Sequence, residues 1–149
     1  MKATSPSTFL DTNVLVYVFD DDEPAKQQRA RELLAASKPA ELAVSAQVLG
    51  EFYVTVTRKL ARPLDPEIAS EAIESFSRLT VVPLDSTVVR SAIQLSRSAQ
   101  ISYWDSLVVT AAARCGCERL LSEDLSDGQE LGPVRIENPF RGVRRESQP

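Results

Sequence analysis

An α/β sandwich with a mainly parallel central sheet is the fold class that the sequence predicts, on three observations. Short β-rich runs alternate with helical patterns of about 10 to 15 residues, the arrangement that builds parallel sheets with helices on both faces. The first of these runs, Thr8-Phe9-Leu10, has the apolar character of a buried strand. At 149 residues, 43% hydrophobic and 26% charged, the chain has the size and composition to bury one core without disulfides or structural metal. One domain over residues 1–140 is expected, followed by a polar, flexible tail over 141–149.

The elements follow in order. The Thr8–Leu10 strand ends at Asp11, and a strand-to-helix turn is placed at Asp11-Thr12, ahead of the apolar stretch from Asn13 to Phe19. The acidic run Asp20 to Glu23 precedes Pro24, a good first-turn proline, and Ala25 to Ala36 reads as an exposed amphipathic helix. Leu42-Ala43-Val44 is a second strand. Ser45 then caps a helix to about Leu60, with Leu49, Phe52, Val56 and Leu60 on one face and Glu51 on its flank. Asp65-Pro66 opens a helix through Phe76, Thr80 to Leu84 is β-rich, and Asp85 caps a helix over Thr87 to Ser98. A helix beginning at Ser102 is expected to bury Trp104, Leu107, Val108 and Ala111 and to stop at Gly116. Arg119 to Ser122 is a strand leading into Glu123-Asp124, and a last strand spans Val134 to Ile136.

Composition narrows the chemistry. The formal net charge of -4 argues against a protein that coats nucleic acid through a global positive field, so any nucleic-acid contact must be local. The chain has no histidine, which excludes Ser-His-Asp and Cys-His catalysis and the usual His-containing zinc site. Cys115 and Cys117 form C-x-C, neither zinc nor redox spacing, and read as reduced thiols. The apolar run Val14 to Phe19 is too short for a secretory or membrane segment, and a reducing cytoplasm is the expected location.

Ligands of such sheets collect where the strands end, which draws attention to Asp11, Glu51, Asp105 and Asp124. Taken singly, each has an ordinary reading. Asp11 caps a helix, Asp105 completes an S-x-x-D capping pattern with Ser102, Glu51 is a solvated flank, and Asp124 is a turn residue. Their conjunction is less ordinary. The stretches Phe9-Leu10-Asp11-Thr12-Asn13, Glu51, Tyr103-Trp104-Asp105-Ser106 and Leu121-Ser122-Glu123-Asp124-Leu125, in this order and spacing up to Asn138-Pro139-Phe140, resemble the PIN-domain family, and within it the VapC-type toxins of toxin–antitoxin systems.

The resemblance implies a PIN-like α/β/α sandwich and a metal-dependent endoribonuclease that leaves a 5′-phosphate and a 3′-hydroxyl. It assigns catalysis and metal binding to Asp11, Glu51, Asp105 and Asp124, with Thr12, Asn13 and Ser122 as polar neighbours and Asp127 as a further, second-tier acid. Clustered carboxylates repel one another and become stable together when a hard cation neutralises them, so Mg2+ or Mn2+ is the implied cofactor, as one ion or two. It also implies an RNA substrate, a homodimer joined through apolar helix surfaces, and a cognate antitoxin protein. Local positive groups that could meet RNA are Arg58, Lys59 and Arg62, or Arg141, Arg144 and Arg145, although basic residues near a helix end more often complement its dipole.

Two other enzyme classes fit poorly. A haloacid-dehalogenase-like phosphatase wants D-x-D, where this chain has Asp11-Thr12-Asn13, and a dinucleotide-binding domain wants a glycine-rich turn that is absent. The alternative of a different kind is a catalytically silent PIN-like module that binds RNA or protein.

Overall fold

A computed structural model describes residues 5–143. Its core is a six-stranded sheet of β1 (Thr8–Leu10), β2 (Leu42–Ser45), β3 (Thr80–Val82), β4 (Arg119–Leu121), β5 (Glu130–Leu131) and β6 (Val134–Glu137), in the order β3-β2-β1-β4-β6-β5. All neighbours pair in parallel except β5 and β6, which form an antiparallel hairpin. The inner strands are short and covered on both faces, so β1 and β2 are buried at every residue.

Between the strands run α1 (Thr12–Tyr17), α2 (Pro24–Ala36), α3 (Ala46–Val54), α4 (Pro66–Phe76), α5 (Ser86–Ala99) and α6 (Tyr103–Arg114). From β1 the chain adds β2 and then β3 outward on one side, and α5 and α6 carry it back across to β4 on the other side of β1. Right-handed crossovers put α1 to α4 on one face and α5 and α6 on the opposite face. Contacts follow that division: α1 packs on α2 and α3, α3 on α4, and α5 on α6, while α6 lies against β2, β4 and β6.

The sequence specifies the helix starts well. Asp11, Ser45, Asp65, Asp85 and Ser102 each accept a backbone N–H of the first turn, as N-caps do. Pro24 and Pro66 occupy the first turns of α2 and α4, where a missing N–H costs nothing. Gly116, at φ +79°, follows α6, and the Cys117 N–H reaches back to the Ala112 carbonyl at 3.0 Å, which closes the helix end. Cys115 and Cys117 are both free thiols.

Three features depart from the sequence reading. Trp104 is 63% exposed, not buried. It stands at the second position of α6, in whose first turn Tyr103 is the residue that packs against Val88 and Ala92 of α5 and against Leu107. The helix expected to reach Leu60 is α-helical only to Val54, and Thr55–Lys59 widens into a π turn. Val56, within the π turn, is fully buried, while Leu49 and Leu60 are only partly so. The two-residue strand β5 carries too few residues for any periodicity to announce it.

At the chain's end, Arg141 pairs with Asp127 at 2.7 Å and Val143 packs on the core, so residues 141–143 stay on the domain. Arg144 and Arg145 lie outside the described residues. Among the described residues no helix is long and apolar enough to cross a membrane.

Candidate active site

Strand order reverses at β1, where β2 and β4 flank it on either side, and a crevice opens at the carboxyl ends of strands at such a reversal. Asp11 sits at that point. Its backbone N–H donates to the Leu121 carbonyl at 3.0 Å, which extends the β1–β4 ladder by one bond and fixes the residue between the two strands. One carboxylate oxygen accepts the Thr12 N–H at 2.7 Å, and the other accepts the Ser122 hydroxyl at 2.7 Å and the Asn13 amide at 3.4 Å. Asp11 is 7% exposed. Burial pushes its pKa up to about 6, the nearby charges of Asp124 and Glu51 act in the same direction, and the Ser122 and Thr12 hydrogen bonds hold it down.

Two polar side chains join the acids to one another. The Asn13 amide donates to Asp124 at 3.2 Å, and its carbonyl oxygen accepts the Glu123 N–H at 3.1 Å. Buried Ser122 gives its proton to Asp11 and accepts the Asp124 N–H at 3.2 Å. Glu51, on α3, is held by the Thr12 hydroxyl at 2.9 Å and by Gln47, one turn earlier, at 2.9 Å. Asp11, Glu51 and Asp124 are thus brought to one end of the sheet, at a cleft of about 610 Å³ whose walls include Thr12, Asn13, Glu51, Lys59 and Asp124.

Asp105 and Asp127 stand differently. α6 runs back toward the start of β4, which sets its first turn, with Asp105, at the same end of the sheet. Ser102 caps the Asp105 N–H at 3.0 Å, but among the described residues no hydrogen bond or ion pair links its carboxylate to the other three acids. Asp127 accepts the Asn138 N–H at 2.8 Å and pairs with Arg141. Those bonds hold its carboxyl below the usual range and tie it to the end of β6, and Asp127 is not among the residues that line the cleft. Of the basic residues, Lys59 lines the cleft, Arg58 is exposed beside it, and Arg62 meets Asp22 at 3.4 Å.

The donor chemistry fits a hard divalent cation. Asp11, Glu51 and Asp124 offer carboxylate oxygens only, and none of them forms an ion pair with Lys or Arg among the described residues. No three acids among the described residues are gathered closely enough to chelate an ion by themselves.

A second polar group borders the cleft, and the sequence reading does not include it. Tyr17, one turn after Asn13, donates its hydroxyl to Glu123 at 2.5 Å, and Lys26 of α2 meets the other Glu123 oxygen at 2.7 Å. Lys26 also donates to the Tyr17 hydroxyl at 3.3 Å and lies 5.0 Å from the centre of its ring. The position of Glu123, between two expected site residues, was the available signal.

A family model described as the PIN domain matches residues 8–126. The chain belongs to the PIN domain family. The PIN match runs from β1 past Asp124 and contains Asp11, Glu51, Asp105 and Asp124, and it ends one residue before Asp127. Among solved structures, a toxin–antitoxin complex from Klebsiella pneumoniae aligns with a TM-score of 0.68 at 16% identity, covering 90% of this chain and 98% of that one. VapC20 of Mycobacterium tuberculosis, described as a toxin cleaving the sarcin-ricin loop, aligns at 0.65 and 21% identity, over 79% and 90% of the two chains. DNA-bound VapBC from Salmonella typhimurium aligns at 0.65 and 21%, over 90% and 98%. At these identities the likeness is one of fold. No curated protein matches by sequence.

Proposed function

We propose that this PIN-domain protein is a metal-dependent endoribonuclease, the toxin of a toxin–antitoxin pair. The carrying observation is that Glu51 and Asp124 line one cleft at the sheet's reversal point, with Asp11 buried behind its wall and bonded to Thr12 and Asn13, and that among the described residues no side-chain cation is paired to these three acids. Drawn closer together by Mg2+ or Mn2+ than they stand without it, Asp11, Glu51 and Asp124 would hold the ion, with Asp105 reaching in from the start of α6. When bound, the ion supplies Lewis-acid polarisation of a phosphoryl oxygen and a water of lowered pKa, the role that the absent histidine cannot fill.

The chain's own residues do the positioning. Ser122 and Thr12 keep the Asp11 carboxylate oriented, Asn13 ties Asp124 to Asp11, and the Thr12 hydroxyl fixes Glu51 against the mouth of α1. Lys59 on the cleft wall, with exposed Arg58 beside it, is placed to meet backbone phosphates, and Arg62 is available once released from its weak surface pair with Asp22. An overall acidic protein then contacts RNA only at this local patch.

Partners follow from the same reading. Several of the fold's neighbours are described as toxin–antitoxin complexes, and an antitoxin segment carrying a basic side chain would fill the cleft and displace the cation. Tyr53 and Val54 on α3 and Ile68 on α4 are exposed apolar residues suited to a homodimer contact, and the cytoplasm is the compartment in which such a toxin meets RNA.

The test is cleavage of a pool of structured RNAs with Mg2+, with Mn2+ and with excess chelator, with the new 5′ ends mapped. Cleavage in metal and none in chelator is expected. RNA binding without turnover would replace this reading with the silent PIN-like module.

A further inference from the structure

We infer that Lys26 is a positioning residue for the acidic cleft: by binding Glu123 together with Tyr17, it holds the Ser122–Asp124 loop so that Asp124, and not Glu123, faces Asp11. The inference rests on the metal-dependent reading of the site and concerns residues that this reading does not use.

Ser122, Glu123 and Asp124 are consecutive, and two of the three bond toward the interior of the site. Ser122 meets Asp11, and Asp124 meets Asn13. The side chain of Glu123, between them, borders the same cleft but is bonded to Tyr17 at the end of α1 and to Lys26 of α2 and not to Asp11 or Asn13. That loop follows a three-residue strand and carries two carboxylates side by side, so its backbone alone does not determine which acid enters the cleft. The decision falls to the partners of Glu123. Both of its oxygens are occupied, one by the Tyr17 hydroxyl at 2.5 Å and one by Lys26 at 2.7 Å, and these charge-assisted bonds are shielded, with the Lys26 and Glu123 side chains only 21% and 25% exposed. The Tyr17 ring is fixed in turn by an edge-on contact with Phe140 at 4.8 Å between centres.

Two effects follow from physical chemistry. Lys26 cancels the charge of Glu123, which would otherwise add a further carboxylate to the repulsion among Asp11, Glu51 and Asp124. It also anchors the loop to α2, and small displacements of a first ligand are costly where several groups must meet one ion. Without Lys26, Glu123, already at the border of the cleft, is free to swing toward Asp11 and compete with Asp124.

The experiment measures Mn2+ binding directly, by the loss of the free-ion electron paramagnetic resonance signal, in wild type, Lys26→Met, Lys26→Arg and Tyr17→Phe. Thermal midpoints and RNA cleavage at saturating Mn2+ are recorded alongside. Losing a group that orients a metal ligand typically weakens metal affinity by about 10- to 100-fold, so a loss of about tenfold is expected in Lys26→Met, a smaller loss in Tyr17→Phe, and affinity close to wild type in Lys26→Arg, which keeps the pair. A folded Lys26→Met protein that binds Mn2+ as tightly as wild type overturns the inference while leaving the nuclease reading intact. If Lys26→Met lowers only the thermal midpoint and leaves affinity unchanged, the residue is structural and the inference also falls. Wild type that binds no Mn2+ at all removes both, and is recognised because the wild-type arm fails.

Discussion

The Ser122 hydroxyl lies 2.7 Å from a carboxylate oxygen of Asp11, joining residues 111 positions apart in the sequence, and it is fully buried. Ser122→Ala removes a hydrogen bond from an acid that is itself buried, and leaving such an acceptor under-satisfied costs about 1–3 kcal/mol. For a chain of this size a thermal midpoint lower by roughly 2–4 °C per kcal/mol is expected. Because that hydroxyl holds the Asp11 pKa down, the acid limb of the cleavage profile should also move to higher pH. A pH–rate profile that does not move would remove Ser122 from the site.

Asp11→Asn should abolish cleavage and stabilise the metal-free protein at neutral pH. The folded-state pKa of Asp11, about 6, lies above its ordinary 3.8, so the folded state holds the proton more tightly than the unfolded chain. The stabilisation that the neutral acid provides is complete below about pH 4 and is lost as pH rises through about 6. Asparagine keeps the neutral form, which gives a gain on the order of 2 kcal/mol at pH 7 and none at pH 4. Denaturant titrations at the two pH values check this, and an equal effect at both would contradict it.

Metal should reverse that balance. Added Mg2+ or Mn2+ is expected to raise the thermal midpoint of wild type at pH 7, less at pH 5, where a proton occupies Asp11, and not at all in Asp11→Asn. Scanning calorimetry with and without chelator measures it. A midpoint equally raised in wild type and variant would locate the ion elsewhere.

Asp105→Asn tests the acid whose carboxylate has no bond to the others. If it reaches into the cleft when the ion and RNA are present, cleavage should fall by at least about 100-fold with no change in fold, in keeping with loss of a group needed in the transition state. Cleavage at the wild-type rate would restrict the site to Asp11, Glu51 and Asp124.

Asp127→Ala should do the opposite: lower the thermal midpoint and leave cleavage unchanged. Its bonds go to the Asn138 N–H and Arg141, which close the chain's end onto β6, and none goes to the cleft. Loss of cleavage at an unchanged midpoint would return Asp127 to the site.

Much of this architecture was legible because it is written in local patterns. Strand ends and helix caps coincide at Asp11, Ser45 and Ser102, so the same residues that punctuate the chain also mark where the cleft opens. What was not legible depends on which neighbour covers a given turn. Trp104 has the right spacing from Leu107 and Val108 to be core, but the first turn of α6 presents Tyr103 to α5 and leaves Trp104 exposed. The π turn at Thr55–Lys59 arises inside an unbroken helical pattern. The Lys26–Glu123 pair bridges 97 positions from a helix that reads as merely solvent-facing. Asp127 has the residue type of a site acid, and only the fold reveals that Asn138 and Arg141 claim it.

The placement of β1 against β4 has a bearing on biosynthesis. Asp11 emerges from the ribosome early, but its hydrogen-bond partner Ser122 and its neighbour Asp124 are made 111 and more residues later. At about 5–20 residues per second, the nascent chain spends roughly 5 to 20 s between Asp11 and Ser122 with no complete acidic centre. The segment from β4 onward therefore acts as an arming step: on the proposed reading, a ribosome-bound fragment short of Ser122 would be inert toward the RNA of the machine that is making it.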